Sequence, residues 1–310
     1  MENTRAKTTR NSLILLLTAT IWGMAFVSQS KGMDYMHPFT FNGVRSLIGA
    51  AGILVYILIS RKIAGDKAAK LDWKLNVKAG LLCGIFLTIA STLQQFGIKY
   101  TSVGKAGFIT TLYIIFVPMF GIFLKKKVAP VVWAAAGMAA VGMYLLCMTE
   151  SLRLGAGDIM VFLCAIAFAI QIMTVDHYAA SIDGAVVSCI QFTVCGVVCC
   201  IGALIWGQPT FGQIQEGLGA LLYAGVLSCG VGYTLQIVGQ KGLNPTVAAL
   251  IMSLESVIAT ISGWIAYKIR FLSTDQTLTP RQIAGCVIVF AAVILVQLPP
   301  EWFRFGKKNA

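Results

Sequence analysis

Glu255 stands near the centre of ALIMSLESVIATISGWIAY, residues 249–267, a run apolar enough to cross a lipid bilayer. At 1.5 Å per residue it lies about 14 Å into a helix starting near Thr246, too deep for its carboxylate to reach an interface. Centring a charge in hydrocarbon costs at least about 2.5 kcal/mol, so such an acid faces a cavity or a partner. Either it is ionised with a cation or donor beside it, or it is neutral and carries a proton. A neutral acid bonded to a neighbouring helix is the structural alternative. Arg45 is a second intramembrane charge, about 10 Å from the nearer end of its helix, where snorkelling outward competes with a role inside. Asp158 stands where a helix starts, and capping accounts for it. Asp176 and His177 end a helix at the membrane edge.

Polar side chains recur on the faces of several apolar runs. Thr88, Ser91, Thr92 and Gln95 follow i, i+3, i+4, i+7, and Cys229, Tyr233, Gln236 and Gln240 likewise share one helix face at i, i+4, i+7, i+11. Thr18, Trp22 and Gln29 share one stripe; Asn42, Arg45, Ser46, Gly49 and Gly52 share another. Any one of these can be explained by a hydrogen bond within or between helices, at about 0.6 kcal/mol each. Their recurrence on corresponding helices is better explained by a polar cavity. Gly80-x-x-x-Gly84 reads as a close helix contact.

The elements that would position these groups are membrane helices. Of the 310 residues, 57% are hydrophobic and 12% charged, with a mean hydropathy of +0.81. A soluble domain carries about a quarter charged residues, so lipid is the solvent here. Ten apolar segments of spanning length lie near 12–30, 39–60, 78–98, 104–124, 129–148, 157–176, 184–206, 217–238, 245–267 and 281–298. The expected chain is therefore all-α and polytopic. A short segment, 1–11, precedes the first helix, and a tail, 299–310, follows the last. No convincing cleavage site follows TRAKTTR, so the first helix is expected to be retained.

The net charge of +12 would suggest nucleic acid in a soluble protein, but here it sets orientation and no nucleic-acid partner is expected. With the N-terminus inside, Arg5, Lys7, Arg10, Arg61, Lys62, Lys67, Lys70, Lys74, Lys78, Lys125, Lys126, Lys127, Lys241, Arg304, Lys307 and Lys308 are cytoplasmic. Only Lys31, Lys99, Lys105, Arg153, Lys268, Arg270 and Arg281 fall outside. That bias puts both termini in the cytoplasm.

Enzyme signatures are missing from the sequence. It contains no H-E-x-x-H, no G-x-x-x-x-G-K-[ST] and no paired intramembrane aspartates, and both histidines lie near helix ends. No cofactor or metal is implied, and the nine cysteines read as small packing residues.

GIKYTSVGKAGFITTLY (97–113) lies over GQKGLNPTVAALIMSLE (239–255) without a gap, matching Gly97 with Gly239, Lys99 with Lys241, Ala106 with Ala248, Ile109 with Ile251 and Leu112 with Leu254. Tyr113 then falls opposite Glu255. Each stretch joins the third and fourth helix of a five-helix set, 12–148 and 157–298. Five is odd, so the two sets are expected to enter the membrane in opposite orientations, related by a pseudo-two-fold axis in its plane.

ATIWGMAF and FNGVRSLIGA in the first two helices, YTSVGKAGFITTLYIIFVPMF with Pro118, and GDIMVFLCAIAFA and NPTVAALIMSLESVIA in the second half resemble an EamA domain present twice. The resemblance covers roughly 12–298 and implies the drug/metabolite transporter superfamily: a secondary-active transporter of a small metabolite, such as an amino acid or related compound, working by alternating access in the cell inner membrane. It implies export, with a proton or another ion as the possible couple, and a cavity lined by helices one to four and six to nine. A passive facilitator and a non-transporting membrane assembly factor remain alternatives. One departure matters: many members have Glu-Pro in the ninth helix, whereas this chain has Glu255–Ser256, which leaves a kink there open. The expected substrate contacts are Glu255, Trp22, Gln95, Tyr113, Tyr233 and Gln236, with Arg45, Thr88 and Thr92 as secondary candidates.

Overall fold

A computed structural model describes residues 2–65, 71–124, 128–147, 155–272 and 276–297, and all regular structure among them is helical. Lys67, Lys70, Lys125, Lys126, Lys127, Arg153 and the tail from 299 to 310, which carry much of the charge bias, lie outside the described residues.

Helix starts are set by short polar residues and prolines in the turns. α1 (Glu2–Gly32) begins well before residue 12, because the polar stretch ahead of the apolar run contains no helix breaker and simply continues it. α2 (Pro38–Ala64) starts with His37 accepting from the Phe39 amide and with Pro38 in the first turn, and it ends at Gly65, whose φ of 52° suits glycine. Asp72 caps α3 (Trp73–Tyr100), Ser102 caps α4 (Val103–Thr111), and α5 (Tyr113–Phe123) completes that span. α6 (Pro130–Cys147) and α7 (Ala156–Tyr178) follow, and Asp183 caps α8 (Gly184–Gly202), which closes with a π turn, Ala203–Gly207. Then come α9 (Phe211–Glu216), α10 (Leu218–Leu222), a π-helical segment Tyr223–Gly232, and α11 (Tyr233–Gln240). Asn244 and Pro245 start α12 (Pro245–Met252), and α13 (Glu255–Lys268) and α14 (Pro280–Gln297) end the described chain.

Eight helical stretches are long and apolar enough to cross a membrane. The other two of the ten expected segments, α6 and α14, are shorter apolar helices of 18 residues each. They pack on each other, with Gly142 close against Gly285 and Val289. Large apolar side chains such as Leu58, Ile201, Leu204 and Phe290 point outward, while Asn42, Gln95, Gln171, Gln236 and Glu255 are buried. Water would penalise so much exposed apolar surface; hydrocarbon does not.

The fourth and ninth of the ten expected segments are interrupted rather than continuous. Leu112 separates α4 from α5, and Ser253–Leu254 separate α12 from α13. The same short-range bond marks both breaks: the Leu112 amide donates to Ile109 O at 3.2 Å, and the Leu254 amide to Ile251 O at 3.3 Å. A shift of 142 residues, the spacing of Tyr113 from Glu255, turns one bond into the other. The ninth span therefore breaks without the proline. Ser253 donates to Leu250 O at 2.7 Å and Ser256 to Ser253 O at 2.8 Å, drawing carbonyls away from the regular ladder. In the fourth span Thr111 does the same to Phe108 O.

A matching pair of helix contacts obeys the same shift. A side chain on Gly97 of α3 would collide with Gly157 O and Val161 of α7; one on Gly239 of α11 would collide with Leu15 of α1. Shifted by 142, Leu15 becomes Gly157 and Gly97 becomes Gly239.

Candidate functional site

The broken spans bring two helix starts together inside the bundle. Tyr113 opens α5 and Glu255 opens α13, and the Tyr113 hydroxyl donates to Glu255 Oε1 at 3.1 Å. Glu255 is 4% exposed and no cation lies within ion-pair distance among the described residues. Glu255 stands at the N-terminal end of α13, where the helix dipole favours negative charge.

Around this bond lies a cavity of about 40 Å³. A water needs about 10–15 Å³ of such volume, so the cavity has room for about three waters and is too small for a metabolite. Its wall includes residues from eight helical stretches, among them Trp22, Arg45, Leu87, Thr110, Phe168, Phe192, Tyr233 and Glu255, with none from α6 or α14 among the described residues.

Rings fix one side of the wall. Tyr233 packs between Trp22, at 4.5 Å between centroids, and Phe192, at 5.0 Å. The Trp22 indole N–H points to Ser228 O of the π segment at 3.4 Å, a weak bond at the end of the hydrogen-bond range. Side-chain amides fix the other. Gln236 Nε2 donates to Gln171 Oε1 at 3.2 Å, and Gln94 Nε2 donates to Thr110 Oγ1 at 3.2 Å. Amides and hydroxyls of this kind can exchange partners with a polar solute at little cost, because they both donate and accept.

Of the expected contacts, Glu255, Trp22, Tyr113, Tyr233 and Gln236 line this cavity, and Arg45 does too. Gln95, Thr88 and Thr92 do not. Gln95 is fully buried and donates to Gln29 O, Thr88 donates to Gly84 O within its own helix, and Thr92 faces Cys199 Sγ at 3.5 Å. Helical periodicity placed them on a polar stripe but could not tell the part of the stripe that faces the cavity from the part that packs on α1 and α8 or bonds within α3. The cavity also takes in Gln29, which the sequence placed on the stripe of Trp22, and Phe26, Gln94, Phe168 and Gln171, which sequence reasoning passed over. The repeat carried a signal for them. A shift of 142 pairs Phe26 with Phe168, Gln29 with Gln171, Leu87 with Cys229, Ser91 with Tyr233, Gln94 with Gln236 and Tyr113 with Glu255, and all twelve line the cavity.

Both ends of the bundle are tied across the two halves. At the end away from the N-terminus, Lys105 Nζ lies 2.6 Å from Asp158 Oδ2, and Thr101 donates to Asp158 Oδ1 at 2.8 Å. Asp158 also accepts from the Gly155 amide at 2.8 Å, so it caps α7 as its position suggests and bonds the first half as well. At the other end Asn11 donates to Lys241 O at 2.7 Å, and Asn76 Oδ1 accepts from the Asp183 amide at 2.9 Å.

Comparison with known proteins agrees with this architecture. The model of the EamA-like transporter family matches residues 10–148 and again 155–298. An uncharacterized transporter of Archaeoglobus fulgidus is 28% identical over 290 residues, covering 92% of this chain and 84% of that one. The uncharacterized transporter YwfM of Bacillus subtilis is 25% identical over 295 residues, with 94% of each chain covered. A solved crystal structure superposes with a TM-score of 0.73 at 15% identity, over 96% of this chain and 99% of that one, a likeness of fold alone.

Proposed function

The chain belongs to the EamA-like transporter family, and on that premise we propose that it is a secondary-active exporter of a small metabolite, such as an amino acid or related compound, working by alternating access. The observation that carries this reading is the small cavity whose wall includes six pairs of positions related by the 142-residue shift, with Glu255 and Tyr113 meeting at matched helix breaks. A solute site between two similar halves, lined by interrupted helices, is the arrangement alternating access needs.

The finer topology belongs to the same proposal. Ten spans form two inverted five-helix repeats, α6 and α14 cross the membrane as peripheral fifth and tenth helices, and both termini lie in the cytoplasm of a cell whose inner membrane holds the protein. At 18 residues each helix is about 27 Å long, close to the hydrocarbon thickness of about 30 Å. Membrane lipid is the surrounding partner. The sequence holds no ATP-binding motif, so the solute's own gradient or a coupled proton drives movement.

Purified protein in proteoliposomes tests the reading by counterflow. Saturable entry of a labelled amino acid, faster when the same compound is present inside, is the expected result. Entry that rises linearly with concentration would indicate a passive facilitator. No movement of any compound across a broad metabolite panel would favour an assembly role.

A further inference from the structure

Arg45 is a charge that the cavity does not explain. It lies within the second span and is 5% exposed, its guanidinium sits over the Phe41 ring at 5.4 Å, and its Nε makes no hydrogen bond. No carboxylate among the described residues lies within ion-pair distance of it. Glu255 can neutralise itself by taking a proton; a guanidinium cannot lose one inside a protein. A ring face offsets part of the charge but supplies no acceptor for the N–H fork. The residue also breaks the match between the halves. Shifted by 142, Arg45 becomes Val187, which lies outside the cavity wall. One half therefore brings a fixed cation to the cavity and the other brings none.

On the reading of this cavity as a transport site, we propose that Arg45 is its anion-binding residue and that the cargo carries a carboxylate. A buried cation without an acidic partner is neutralised when the ligand brings the anion. A single guanidinium matches a singly charged carboxylate through two parallel N–H···O bonds; Ser46 and Ser91 line the same cavity, with their hydroxyls at 3.5 and 3.4 Å from Cys195 Sγ. A phosphate monoester, with nearly twice the charge, would need further cations, and Arg45 is the only Lys, Arg or His among the described residues of the cavity wall. Phe26, Leu87, Phe168 and Ile172 offer the rest of the solute an apolar surface. Glu255 lies on a different wall, in α13 beside α5, free to take an amine of the same solute or a proton.

The test is binding to the purified full-length protein, read as a shift in unfolding temperature. The probes are the twenty amino acids and a set of short mono- and dicarboxylates, each beside its methyl ester. We expect particular acids to raise the unfolding temperature while their esters do not. Arg45→Gln should abolish that shift, and Arg45→Lys, which keeps the charge but loses the fork, should weaken binding about tenfold. Should Arg45→Gln not fold, the acid–ester comparison in the unaltered protein and the Lys variant decide the matter. Equal binding of acids and esters, unchanged discrimination in Arg45→Gln, unchanged affinity in Arg45→Lys, or no binding by any acid in the set would overturn the proposal. Counterflow of a solute without a carboxylate would overturn it while leaving the transporter reading intact; carboxylate binding without vesicle transport would do the reverse.

Discussion

Vesicles carrying Glu255→Gln are expected to move solute at least about tenfold more slowly than the unaltered protein, with equal amounts of folded protein in the membrane. A hydrogen bond to a charged group contributes about 1.5–3 kcal/mol, and each 1.4 kcal/mol is a factor of ten, which sets that scale. The amide matches the acid in size and can still accept from Tyr113, so the local packing around the 3.1 Å bond survives. What disappears is the capacity to hold negative charge or a proton. If Glu255 takes up and releases a proton in each cycle, the rate of the unaltered protein varies with pH and that of Glu255→Gln does not. Tyr113→Phe should act more weakly, because it removes the donor and leaves the acid. An acid with a packing role alone predicts the opposite: Glu255→Gln would keep both the rate and its pH dependence, and the residue would leave the mechanism.

Lys105→Met should bias the protein towards opening at the end away from the N-terminus. The Asp158 side chain is 4% exposed and that of Lys105 is 20% exposed, so removing the lysine strands a nearly buried carboxylate. Breaking a fully buried pair costs about 3–5 kcal/mol; partial exposure of the lysine reduces this to about 1–3 kcal/mol, a shift of roughly ten- to a hundredfold in a two-state equilibrium. Thr101 and Gly155 still hold Asp158, so folding should survive. A membrane-impermeant thiol reagent applied from that face should then modify Cys229, a cavity-lining residue 2% exposed, about tenfold faster. Asn11→Ala, which loosens the other end, should speed modification from the opposite face. Unchanged rates in Lys105→Met with normal amounts of folded protein would show that the ion pair is no gate.

Much of this architecture is legible in the sequence because the solvent imposes it. Hydrocarbon demands long apolar helices, and a carboxylate at depth is conspicuous against such a background; Glu255 and Tyr113 could be paired by aligning the repeats alone. Three features were out of reach of that reasoning. The helix break at Ser253–Leu254 depends on serine hydroxyls turning back to carbonyls, and serine in a membrane helix does this without breaking it in most settings. The π winding of Tyr223–Gly232 lies against α2, where Gly49 and Gly225 let the backbones approach, and periodicity at 3.6 residues cannot register it. Gln95 and Gln94 are neighbours in sequence, yet Gln94 lines the cavity and Gln95 packs on α1 through Gln29 O; only the rotation of α3 decides between them. Asp158 shows a residue serving two roles, a cap that local sequence reveals and an ion pair to Lys105 that it does not.

The central claim is that one cavity between the halves opens to the two faces of the membrane in turn. Modification of Cys229 by the impermeant thiol reagent, located by mass spectrometry of the labelled peptide, tests it in right-side-out and inside-out vesicles of the unaltered protein. The account predicts modification from both faces, slowed from both by a solute that undergoes counterflow. Modification from one face only, whatever solute is present, or from neither, would contradict it.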